Sequence, residues 1–336
     1  MDRDGFIVLS DLHLHIWKNH NEDNRRTSAH IQVLLEIWHR GLEENRIIFF
    51  AGDFIHKGTE VSMELLRIII NTCLAMRVMK AEYPDSDLIK IYAIDGNHDQ
   101  DASNRWDSRA NNIIQILAMA FPDIFVDMSN SCTPLEVGEY HFYGLSYFRY
   151  NDGLETGIQA IRDNPHYNKK KLNVLFIHTV LPGSTDTDGR AVEQDGKPIA
   201  SVAKTFKGFD LVLCGHIHKH YSFGGGIYNI GAPIQQRLTD MGSKMGYMLI
   251  EGENARRVVL KGYPEFKMYE GDKPPDDKHF WVKMPEEKTV TKTSITAPKT
   301  QSMKSLVRGY KKAMKVNGKD EELARLIILL EGGQDD

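Results

Sequence analysis

Cysteine is scarce in this chain, with three among 336 residues: Cys73, Cys132 and Cys214. They lie far apart, are odd in number and form no C-x-x-C pair, which argues against a disulfide framework and against a cysteine-built zinc site. A reducing cytoplasm is therefore the expected location. Long apolar runs are also missing, and none approaches the roughly 20 residues that a helix needs to span a bilayer. With Asp2 and Asp4 so close to the start and a polar motif already at Asp11, no cleaved signal peptide is expected. An excess of positive charge is absent too. The formal net charge is -4, which weighs against an unaided grip on nucleic acid, although bound dications add positive charge that composition does not register.

What is present is ordinary in bulk and unusual in detail. Hydrophobic residues make up 41% and charged residues 26%, values typical of a globular protein with room for one large core and a small appendage. Phe6 to Leu9, Ile47 to Ala51 and Leu88 to Ile94 read as short buried strands. Between and after them, Ser28 to Leu42, Val61 to Lys80 and Asn111 to Ala120 read as helices, the first from Ile31, Leu34, Leu35 and Trp38 at helical spacing. This alternation predicts parallel α/β packing. Further on, Tyr140 to Gly144, Leu172 to Ile177, Asp210 to Cys214, Tyr228 to Ile230, Gly246 to Ile250 and Arg257 to Leu260 read as short strands joined by turns. The pattern predicts two sheets that share a rim. The polar loop from Pro182 to Pro198 is long enough to be functional.

Polar clusters stand at the strand ends in a fixed order: Asp11 and His13, Gly52-Asp53, Gly96-Asn97-His98-Asp99, His178, and His216 with His218. In open α/β sheets ligands gather at the C-terminal ends of the strands. Carboxylate, amide and imidazole donors converging there suit two hard dications side by side, an arrangement that activates water and neutralises a phosphate oxygen. Asp53 is the natural bridge, because the glycine before it lets the backbone turn sharply toward both ions. His98, beside the ligand Asn97, is free to act as an acid. Asp99 either orients His98 or caps the following turn.

This ordered set resembles the calcineurin-like metallophosphoesterase superfamily, and its details are similar to the SbcD-type DNA repair nucleases, including their phage-encoded members. Gly52-Asp53-Phe54-Ile55-His56 carries that group's second motif with its extra histidine, and Tyr143-Gly144-Leu145-Ser146-Tyr147 resembles its Gly-Leu-Pro-Tyr segment. Gly231 to Gln235, Gly246 to Ile250 and Pro264-Glu265-Phe266 resemble its sheet-closing region. The resemblance implies a four-layer α/β/β/α sandwich over residues 1–266, a reduced capping segment at 267–284, a flexible linker at 285–302 and a helix-loop-helix at 303–332. It implies one metal held by Asp11, His13, Asp53 and His218, and another held by Asp53, Asn97, His178 and His216. His98 would protonate the leaving sugar oxygen or hold the scissile phosphate, with Asp99 behind it, and His56 would place the phosphate for exonuclease cleavage. Manganese would be the metal and DNA the substrate. A homodimer would form, and the helix-loop-helix would dock on an SMC-like ATPase of the SbcC type.

The chain departs from the group at His15, where glycine is usual, and at Ala232, where serine is usual. His15 narrows or re-polarises one edge of the site. The reduced cap leaves an alternative open, a metallophosphatase or phosphodiesterase acting on a small nucleotide or a phosphoprotein.

Overall fold

A computed structural model describes residues 5–18, 24–100, 112–148, 151–186, 189–192, 199, 201–252, 254–270, 273–276 and 278–283. The linker and helix pair expected from the sequence at 285–302 and 303–332 lie outside the described residues.

The first half alternates strand and helix: β1 (Phe6–Leu9), α1 (Arg25–Glu43), β2 (Ile47–Ala51), α2 (Met63–Ala81), β3 (Ile91–Ile94), α3 (Ile113–Ala120) and β4 (Phe125–Asp127). There follow β5 (Ser131–Val137), β6 (Tyr140–Gly144), α4 (Asn151–Asp163), β7 (Leu172–His178), α5 (Val202–Thr205), β8 (Leu211–Gly215), β9 (Tyr221–Gly224) and β10 (Ile227–Asn229). The chain then adds β11 (Gly246–Glu251), β12 (Asn254–Val259), β13 (Phe266–Tyr269) and β14 (Phe280–Lys283).

Two six-stranded sheets result, in the orders β12-β11-β1-β2-β3-β4 and β5-β6-β7-β8-β10-β9. In the first, β1 to β4 run parallel and β11 and β12 join antiparallel. In the second, β6, β7, β8 and β10 run parallel with antiparallel strands at both edges. The central strands are buried throughout, as expected of parallel strands covered on both faces.

Alternation along each strand separates two apolar layers. Inward-facing Phe6, Phe49, Phe142 and Phe176 meet between the sheets, with Phe49 stacked on Phe176 at 4.3 Å. Outward-facing Tyr143, Leu175, Ile177, Val212 and Cys214 pack with Leu154, Ile158 and Ile161 of α4. On the far side of the first sheet, α1 buries Ile31, Leu34, Leu35 and Trp38, and Trp38 Nε1 donates to the Met76 carbonyl of α2 at 2.9 Å. Each fully buried phenylalanine contributes about 1.5–3 kcal/mol relative to exposure, and each ring pair about 0.5–1.5 kcal/mol more. The layers are therefore α/β/β/α, the order expected from the sequence.

Neither α4 nor the one-turn α5 was legible as a helix in the sequence. Helices α1, α2 and α3 differ from expectation only at their ends, where caps decide for the last two. Ser62 accepts from the Leu65 amide at 3.1 Å, and Asn112 accepts from the Gln115 amide at 2.9 Å, so α2 and α3 start just after those residues. Within the segment expected as a reduced cap, β13 and β14 pair in parallel, and the Phe266 amide at the start of β13 donates to Gln235 Oε1 at 2.6 Å. No described helix is long and apolar enough to cross a membrane.

Candidate metal centre

Both sheets end their parallel strands at one rim, and the loops that leave them carry the candidate donors. The backbone there is strained. Asp11, His13, Asp53 and His216 all adopt positive φ, between 48° and 93°, a region that non-glycine residues seldom enter and that collects at functional sites. The loops are locked in that shape by one another: the Asp11 amide donates to the Gly52 carbonyl at 2.9 Å and the His13 amide to the Asp53 carbonyl at 3.0 Å. Two glycines make room for the donors. A Cβ on Gly52, whose φ is 86°, would collide with the His178 ring, and a Cβ on Gly96 would collide with the Asp53 carboxylate.

The donors fall into two sets with Asp53 between them. In the first, His13 Nε2 and His218 Nε2 lie 3.1 Å apart, with Asp53 Oδ2 3.5 Å and Asp11 Oδ1 3.9 Å from His13 Nε2. In the second, His178 Nε2 lies 3.2 Å from Asn97 Oδ1, 3.3 Å from His216 Nδ1 and 3.3 Å from Asp53 Oδ2, and His216 Nδ1 lies 2.9 Å from Asn97 Oδ1. Ligands held at about 2.0–2.2 Å around a tetrahedral or octahedral ion stand about 2.9–3.5 Å from each other, so most of these separations match a coordination shell.

Protonation supports the fit. His178 Nδ1 faces the Ala51 carbonyl at 2.8 Å and His218 Nδ1 faces Asp240 Oδ2 at 3.4 Å. Each acceptor fixes the ring proton on Nδ1 and leaves Nε2 as a lone pair aimed into the site. Nitrogen and oxygen atoms thus converge with no donor among them except the proton that His178 Nε2 holds toward Asp53, an arrangement that a cation satisfies in its place. Burial drives the pKa of His13 well below its usual value and that of His216 down to about 3, keeping both neutral. Burial opposes the charge on His178 and Asp53 as well, but their mutual attraction outweighs it: His178 rises to about 9 and Asp53 falls well below the usual carboxylate range. An incoming cation takes the place of that proton. Asp11, raised by burial and by Asp53 against the pull of His178, accepts from the His216 amide at 3.1 Å and from Ser10 Oγ.

The structure therefore brings Asp11, His13, Asp53, Asn97, His178, His216 and His218 together. His98 and His56 stand beside them. The ring nitrogens of His13, His56 and His98 lie within 4.8 Å of one another, and His56 stacks on His98 at 5.3 Å. Asp99 takes a different place from the one that would orient His98. Its carboxylate accepts from the Gly96 amide at 2.9 Å and the Ile55 amide at 3.0 Å, tying two ligand loops together, and burial followed by Asp53 raises its pKa to about 8. The His98 ring is held instead by the His56 carbonyl, 2.5 Å from Nδ1.

Sequence reading missed three supporting residues. Asp240 is buried on a tight turn and also accepts from the Gln236 and Arg237 amides at 2.8 and 3.1 Å. Gln236 Nε2 donates to the Asp11 and Leu12 carbonyls, 3.2 Å each. Tyr147 stacks on His216 at 5.9 Å. Asp240 and Gln236 sit in no spaced motif; Tyr147 ends the Gly144-Leu145-Ser146-Tyr147 segment, but only the fold places it against His216.

Comparison with known proteins gives the following. A family model described as calcineurin-like phosphoesterase matches residues 5–220. The D subunit of nuclease SbcCD from Staphylococcus epidermidis is 24% identical over 257 residues, covering 70% of this chain and 64% of that protein. The protein of the same name from Staphylococcus saprophyticus is 21% identical over 253 residues, covering 69% and 62%. The chain thus spans less than two thirds of the length of these relatives. Among solved structures, TT1561 of Thermus thermophilus shares 12% identity at a TM-score of 0.42, over 76% of this chain and 98% of that one.

Proposed function

Because the chain belongs to the calcineurin-like phosphoesterase family, we propose that it is a manganese-dependent two-metal DNA nuclease, an exonuclease on duplex ends and an endonuclease on single strands. The observation that carries this reading is Asp53, whose Oδ2 lies 3.5 Å from His13 Nε2 and 3.3 Å from His178 Nε2. One carboxylate thereby serves two donor sets. When bound, a pair of dications supplies a water nucleophile near neutral pH and neutralises charge at phosphorus.

The remaining work falls to the protein's own groups. His98 Nδ1 is engaged by the His56 carbonyl, which leaves Nε2 to hold the scissile phosphate or to hand a proton to the leaving sugar oxygen. The Asp53 Oδ1 atom accepts from the His98 amide at 2.9 Å, so the acid is anchored to the bridging carboxylate. Burial, followed by His98 and His15, lowers the His56 pKa to about 4. A neutral His56 can place the phosphate of a duplex end by hydrogen bonding. Support for DNA as substrate comes from the two SbcCD nuclease relatives. On the same reading the chain forms a homodimer and engages an SMC-like ATPase of the SbcC type through 303–332.

The test is a manganese-dependent assay on linear duplex DNA, circular single strands and a small chromogenic phosphodiester, with and without an SMC-like ATPase from the same source. Cleavage of both DNA forms is expected. Hydrolysis of the small diester with no DNA cleavage would move the assignment to a small-nucleotide phosphodiesterase.

A further inference from the structure

The rim loop after β1 does not stop at the ligands. Leu14 bridges to Ile55 in parallel, and the His56 amide donates to the Leu14 carbonyl at 3.2 Å, so the chain just past His13 is pinned against the loop that leaves Asp53. His13, His15 and Trp17 all line one cavity of about 880 Å³, together with His56, His98 and Lys57. The rings form a continuous row. His56 lies 5.4 Å from His13, 5.2 Å from His15 and 4.8 Å from Trp17, centroid to centroid.

The far end of this row is cationic. Lys18, Lys57 and Arg26 line the same cavity. After burial, these three are the main influences disfavouring a charge on His15, opposed weakly by Glu60. Arg26 lies over the Trp17 ring at 3.5 Å and is itself buried, whereas Lys57 is half exposed and pairs with Glu60 at 3.3 Å. His15 is part-buried, and among the described residues no hydrogen bond is made by either of its ring nitrogens. A donor-capable imidazole with cations around it, one ring beyond His56, suits an anion joined to the one bound at the metals.

Resting on the nuclease reading, we propose that His15, with Lys57 and Lys18, binds the phosphate adjacent to the scissile one on the same strand. The site makes the chain favour substrates that carry a second phosphate over isolated phosphodiesters.

Calorimetric binding in calcium of deoxythymidine 3′,5′-bisphosphate against deoxythymidine 5′-monophosphate tests this. The wild-type protein is expected to bind the bisphosphate at least about tenfold more tightly, the worth of a hydrogen bond to a charged group. His15→Phe keeps a ring against Trp17 and His56 but has no N–H, and should lose most of that preference. His15→Lys restores a donor and should recover it. With manganese, the ratio of kcat/KM for a 5′-phosphorylated dinucleotide to that for bis(4-nitrophenyl) phosphate should fall in parallel. A wild-type protein without the preference, or a His15→Phe variant that retains it, overturns the subsite. If the wild-type protein still cleaves linear duplex DNA with manganese in those cases, the nuclease reading stands. If it hydrolyses no phosphodiester at all, the parent reading fails and the subsite falls with it.

Discussion

Asp240 offers a way to weaken one metal position without touching a ligand. Its Oδ2 faces His218 Nδ1 at 3.4 Å and accepts from the Gln236 and Arg237 amides. Asp240→Asn keeps the volume and a carbonyl oxygen for the two amides but removes the anion that makes His218 a strong donor. Loss of such an outer partner typically costs about 10–100-fold in metal affinity, or about 1.4–2.8 kcal/mol. The loss should fall on the position built from Asp11, His13 and His218, and leave the Asn97, His178 and His216 position near wild type. Asp240→Ala should be worse in a second way. It leaves two backbone N–H groups without their acceptor, at about 1–3 kcal/mol for each that stays buried, so the melting temperature of the chelator-treated protein should drop by several degrees. Manganese titration by calorimetry, with stoichiometry checked by elemental analysis, separates the two positions. An asparagine variant that binds both ions with unchanged affinity, or that weakens both equally, would refute the reasoning.

Asp53→Asn should release both ions together, since one carboxylate serves both donor sets; elemental analysis that finds one ion still tightly held counts against bridging. His98→Ala should keep its metals and lose about 10²–10⁴-fold in phosphodiester cleavage, the usual worth of a positioned acid. Near-full activity in that variant, or a lost ion, would mean that the role is misassigned. Deleting 303–336 should leave metal binding and basal cleavage intact but abolish co-purification with the SMC-like ATPase and any ATP-dependent stimulation. Retention of full-affinity association would show that the partner docks elsewhere.

The seven donors could be read from the sequence because each is a distinctive residue type immediately after an apolar run, and the strand ends of a parallel sheet converge by topology alone. Their partition was an expectation from the family resemblance and not from spacing; in the structure His216 and His218, at i and i+2, lie in different donor sets. The outer layer was harder to see. Asp240 is one carboxylate among many and lies 22 residues past His218, where only a tight turn brings it back. Asp99 adjoins His98 in sequence, which suggested that it held the imidazole, yet its carboxylate turns toward the amides of Gly96 and Ile55. Helix α4 escaped notice although Leu154, Ile158 and Ile161 keep helical spacing, because Gly153 and Gly157 lower its intrinsic helix preference. His15 was visible as a departure from glycine, but its place in the row of rings depends on the Leu14–Ile55 bridge, a long-range pairing that the local pattern does not show.

Each donor set draws on both sheets. Asp11, His13, Asp53 and Asn97 leave the strands of one, and His178, His216 and His218 leave those of the other. A bound ion is consequently a cross-link between two layers that are otherwise joined by apolar packing and by a few rim hydrogen bonds, such as His178 Nδ1 to the Ala51 carbonyl and the His216 amide to Asp11. In the unfolded chain the same donors are scattered and offer no comparable site, so binding free energy is also folding free energy, about 2.7 kcal/mol per site at an ion concentration one hundred times Kd. Resistance to unfolding and readiness for catalysis are thus governed by one variable, the free metal concentration. Depletion would first loosen the rim, whose strained loops then rest on their own hydrogen bonds alone, while the phenylalanine layer beneath still keeps the sheets in register.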